Sequence, residues 1–148
     1  MTSAWFHIIT VHLPVIGTPI VLYLVLKSIK EDTTTILWKR IYSLLILLAI
    51  LVSISYFSGP TTAEWIKEQL DHYPKALVEN HALWGRIAFT IQVMLGVLGI
   101  MGLSNNLQGG QPIKKLPWII LILLAVNTLI LIYTAHLGGM IRRPDFIF

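Results

Sequence analysis

An all-α membrane protein, a bundle of four transmembrane helices, is the fold class this sequence predicts, and three observations predict it. Hydrophobic residues fill 55% of the 148 positions and charged residues only 12%, with a mean hydropathy of +0.75. A soluble domain of this length needs a charged surface that this chain lacks. Four apolar runs, residues 5–26, 41–57, 83–103 and 117–137, are each near the ~20 residues that cross a hydrocarbon layer at about 1.5 Å per residue. Trp5, Trp38, Trp84 and Trp118 sit near the ends of these runs, where an aromatic belt places them. Lipid cannot hydrogen-bond free backbone groups, so the runs are expected to be helices. The length suits one domain over residues 1–148.

The first run has 22 residues and no Lys or Arg before Lys27. It lacks the basic start of a secretory signal and reads as a retained first helix, with Pro14 and Pro19 expected to kink it. The second run leads into a polar loop. There Gly59-Pro60 marks a turn, Thr61-x-x-Glu64 forms a capping box, and Trp65, Ile66 and Leu70 make an apolar stripe. That pattern predicts a short amphipathic helix lying on the bundle mouth. In the third run Gly96, Gly99 and Gly102, with Gly85, make a strip of small residues suited to close helix approach. The loop 104–116 before the fourth run is polar and glycine-rich, a bare turn.

Four crossings put the N-terminus, the loop 58–82 and the tail on one side, A, and the loops 27–40 and 104–116 on the other, B. Side B carries Lys27, Lys30, Lys39, Arg40, Lys114 and Lys115, against Lys67, Lys75, Arg86, Arg142 and Arg143 on side A. The positive-inside rule favours side B as cytoplasmic by six to five, leaving both termini outside. The net charge of +4 lies beside apolar runs and forms no basic stripe, so no nucleic-acid partner is expected. With no cysteine, disulfides, iron–sulfur clusters and thiolate metal sites are excluded.

All five histidines, His7, His12, His72, His81 and His136, fall on side A or in the side-A half of a helix. Ionisable groups are costly at membrane depth, which makes an in-span histidine a functional candidate. Histidines at helix ends also simply meet water at the headgroups, and that reading is preferred for His7 and His72. His12, His81 and His136, from three helices, are the expected pocket. Imidazole suits haem iron, copper or zinc. Haem b needs two opposed histidines, apolar walls and basic groups for its propionates, for which Arg86 and Arg142-Arg143 are candidates; Arg86 equally well snorkels or pairs with Glu79 or Asp145. A three-histidine metal site at His12, His81 and His136 is the second possibility, approached by Glu64, Glu68 or Asp71. A faint duplication relates His12 and Gly17 to His81 and Gly85.

The segment YFSGPTTAEWIKEQLDHYPKALVENHALWGR, residues 56–86, resembles small bacterial four-helix membrane proteins grouped as the domain of unknown function 2231. The similarity extends to VHLPVIG around His12, to Glu79-Asn80-His81, and to His136-Leu137-Gly138-Gly139 followed by Arg142-Arg143. It implies that His12, His81 and His136 belong to motifs, in a bacterial inner membrane. The architecture is also similar to that of small b-type cytochrome subunits. The leading expectation is therefore a small membrane haem- or metal-binding electron-transfer protein near the outer face, alone or as a subunit of a larger respiratory or redox complex. The alternative is a non-catalytic accessory or assembly subunit. No nucleophile motif, phosphate loop or membrane carboxylate pair marks an enzyme.

Overall fold

A computed structural model describes residues 2–31, 35–70 and 73–142. The described chain forms four helices, α1 (Thr2–Lys30), α2 (Thr35–Gln69), α3 (Lys75–Leu107) and α4 (Leu116–Arg142). All four are long and apolar enough to cross a membrane. Asp71, His72, Arg143 and Asp145 lie outside the described residues.

Each helix packs on its chain neighbours, and α1 closes the ring on α4, so α1 and α3 stand on one diagonal and α2 and α4 on the other. Neighbours run antiparallel. His7 near the start of α1 meets Ser55 late in α2, and His81 near the start of α3 meets Thr134 late in α4. The bundle thus has a histidine end and a lysine end.

Glycine sets the α2–α3 spacing. A Cβ on Gly99 would lie 2.9 Å from the Tyr42 carbonyl oxygen, one on Gly96 would meet the Ala49 side chain, and one on Gly102 the Tyr42 ring. The expected small-residue strip is therefore a packing surface, with Leu45 and Leu95 wholly buried beside it. On α1, Gly17 receives Leu48 of α2.

Two local expectations are corrected. The loop helix is not separate: α2 runs unbroken through Gly59 and Pro60 for 35 residues, about 52 Å at 1.5 Å each, and so projects beyond the bilayer. Thr61 caps nothing. Its hydroxyl, like that of Thr62, donates back to the Ser58 carbonyl within the helix. A capping box needs a chain entering a helix, and here the chain is already helical. The amphipathic stripe still packs inward, since Trp65 is half-buried and the Arg142 guanidinium of α4 lies 5.8 Å from its ring centre. Pro14 and Pro19, expected to kink the first helix or loosen a turn, sit inside a continuous α1.

Candidate functional site

The inward stripe of α1 reads His7, Thr10, Pro14, Thr18, Val21, Val25 and Ser28, a spacing of three and four that keeps one helix face to the core. On α3 the corresponding stripe is His81, Ala88, Gln92, Leu95 and Gly99. Two of these positions answer each other across the diagonal at the same offset. Thr18 meets Gln92, 74 residues on, and His7 and His81, at the same end of the bundle, are also 74 apart in the chain. The hairpins α1–α2 and α3–α4 are therefore alike, each sending a histidine from its first helix to a carbonyl of its second.

His7 Nδ1–H donates to the Ser55 carbonyl at 2.8 Å and lies 3.1 Å from Ser58 Oγ, whose own hydroxyl is turned to the Ser55 carbonyl. His81 Nδ1–H donates to the Thr134 carbonyl at 3.0 Å. A carbonyl only accepts, so both rings carry the proton on Nδ1, and both Nε2 lone pairs are left free of these bonds. Residues without side chains crowd the rings: a Cβ on Gly138 would lie 3.1 Å from His81 Cε1, and one on Gly59 would lie 3.8 Å from His7 Cε1. Two aromatic pairs bridge neighbouring helices, with Tyr56 of α2 stacked on Phe89 of α3 at 4.4 Å and Trp84 of α3 edge-on to Tyr133 of α4 at 5.1 Å.

The structure separates the three histidines expected to share a pocket. His81 turns inward and is half-buried, whereas His12 and His136 are exposed on the outer faces of α1 and α4. His12 Nδ1–H donates to the Ile8 carbonyl of its own helix. Five residues separate His7 from His12, which at 100° per residue turns them about 140° apart. The same five-residue step carries Arg86 away from His81, and Arg86 is exposed. Among the described residues no group of three or more His, Cys, Asp or Glu is placed to hold a metal ion.

His7 bears to His81 the same 74-residue offset that Thr18 bears to Gln92, whereas a duplication aligned on His12 falls five positions later. Apolar residues on nearly every side of α1 hide its inward face, and only helix packing reveals it.

The fold and the paired imidazoles define a multi-pass membrane protein, a helical bundle with a histidine layer at one end. No family model matches the chain. Searches of curated proteins and of solved structures return no similar protein.

Proposed function

We propose that this chain is a small membrane redox protein that holds haem b between His7 and His81 and passes electrons at the outer face of a bacterial inner membrane. One observation carries the reading: two half-buried imidazoles on diagonal helices each donate Nδ1–H to a carbonyl of the neighbouring helix. Histidines that ligate metals almost always have such a partner on the second nitrogen, which fixes the ring and raises the basicity of the first. Haem held by two imidazoles supplies one-electron transfer. The protein's part is to orient both rings through Ser55 and Thr134, with Gly59 beside one ring and Gly138 beside the other. Six basic residues at the opposite end, Lys27 through Lys115, support the outward orientation. The resemblance to the domain of unknown function 2231 fits this architecture and names no activity.

The test is the visible spectrum of protein purified from haem-replete membranes. A Soret band with reducible α and β bands is expected. His7→Ala and His81→Ala are expected to abolish it while the protein still inserts, and His12→Ala and His136→Ala to leave it in place. Protein without haem, or a spectrum that survives both inner substitutions, overturns the assignment. Copper or zinc bound to the parent but not to these two variants would replace haem as the occupant.

A second reading, an accessory subunit of a larger redox complex, rests on a separate observation. His12 and His136 face outward from the bundle, although ionisable groups at membrane depth normally face protein. Extraction in mild detergent is expected to yield an assembly larger than the 16.7 kDa chain, and His12→Ala or His136→Ala to dissociate it. A monomer in both the parent and the variants removes this reading without touching the first.

A further inference from the structure

Buried polar side chains are distributed unevenly along the bundle. Thr10, Thr18, Ser55, Thr62, Gln92, Asn127 and Thr128 lie between its middle and the histidine end. Toward the lysine end the core is Val21, Val25, Ile41, Leu45, Leu95, Leu116, Ile120 and Leu124, with Ser28 tied to the Leu24 carbonyl as Thr10, Ser55, Thr62 and Thr128 are tied to carbonyls of their own helices. The deepest polar group is a triad from three helices. Asn127 Nδ2 donates to Gln92 Oε1 at 2.8 Å, and the Thr18 hydroxyl donates to the same oxygen at 3.3 Å. All three residues are fully buried.

The triad is not closed. Gln92 Nε2 and Asn127 Oδ1 are both buried without a hydrogen-bond partner. Turning one amide over sets like groups against each other. Turning both over restores the contact between them but leaves one amide nitrogen and one amide oxygen unpaired. Every arrangement joined by that single bond therefore lacks one acceptor and one donor. Unmet amide groups in an apolar setting are costly. A single water both accepts and donates, and buried water needs only 2–4 such partners. The α3 position one turn toward the histidine end is Ala88, also buried, which keeps the side chain there small.

We infer that Gln92 and Asn127 hold an internal water at the middle of the bundle, at the inner limit of the buried polar side chains of its histidine half. The water accepts from one amide N–H and donates to the other amide oxygen. The hydrocarbon layer of Val21, Val25, Leu45, Leu95, Ile120 and Leu124 seals it from the lysine end. The site stands about 16 Å below the histidine layer, eleven residues along both α1 and α3 at 1.5 Å each. It does not depend on the haem reading, because its observations concern the polypeptide alone.

The test uses the cofactor-free, ¹⁵N-labelled full chain in nanodiscs, with water-selected NMR cross-peaks to side-chain NH₂ protons. The Gln92 and Asn127 signals are assigned by their loss in Gln92→Leu and Asn127→Leu. Both pairs are expected to show dipolar cross-peaks to a long-lived water, and the backbone amide of Leu95 is expected to show none. Thr18→Val removes the hydroxyl through which exchange could be relayed, and the cross-peaks are expected to persist in it. Their absence in the parent, or their loss in Thr18→Val with the fold intact, overturns the inference. A direct second bond between the two amides, detected by scalar coupling across it, overturns it as well.

Discussion

A single missing side chain positions the inner imidazole of α3. His81 is held between the Thr134 carbonyl and Gly138, where even a methyl group would come within 3.1 Å of Cε1. That distance forces the ring to move, because the neighbour on the other side is backbone. Gly138→Ala is expected to lengthen the Nδ1–H···Thr134 bond, seen as faster exchange of the ring proton and a changed Nδ1 ¹⁵N shift. Gly139→Ala meets open space and is expected to leave both signals unchanged. Equal effects from the two substitutions would mean that Gly138 does not position the ring. The residue scale also explains why the sequence does not show which way His12 and His136 point. A histidine in an apolar run is conspicuous in the sequence whichever way it points, and both of these point out.

At the scale of elements, the α2–α3 contact is built on close approach, because lipid leaves little hydrophobic driving force between helices. Gly99 is the tightest point against backbone, since its Cβ would meet the Tyr42 carbonyl oxygen, which cannot rotate away. Gly99→Ala is expected to cost about 1–3 kcal/mol, as overpacking does, measured by steric trapping in bicelles. Gly85→Ala, whose Cβ would sit 3.9 Å from the Thr134 methyl, is expected to change stability by less than about 0.5 kcal/mol. Similar costs at the two sites would remove close approach as the reason for the strip. The extension of α2 past Pro60 is also decided between elements. Proline removes one donor, yet the turn keeps its order where Ser58 and Thr62 bond internally and His7 of α1 docks on Ser55.

For the whole molecule, the two ends differ in kind. One gathers His7 and His81 over a polar interior, and the other closes on hydrocarbon and carries Lys27, Lys30, Lys39, Arg40, Lys114 and Lys115. Reporter fusions are expected to place residues 28–38 and 105–115 in the cytoplasm and residues 60–78 outside. A cytoplasmic signal from 60–78 would invert the bundle and move the histidine layer to the inner face. The near-even charge count makes this measurement decisive for orientation, while the antiparallel packing holds in either direction.

What the sequence by itself determined is the membrane class, the number of helices and the approximate place of each. These follow from local hydropathy and length, which every residue reports without reference to its neighbours in space. The packing role of Gly96 and Gly99 was legible for the same reason, since a run of small residues has few other uses in a membrane helix. Only the tertiary structure decided which face of each helix turns inward. A soluble helix announces its buried face by amphipathicity, but here lipid and core are both apolar and the periodic signal vanishes. Thr18, Gln92 and Asn127 therefore came together, and His7 and His81 each found a carbonyl of the neighbouring helix, only when four nearly featureless cylinders were packed in one register.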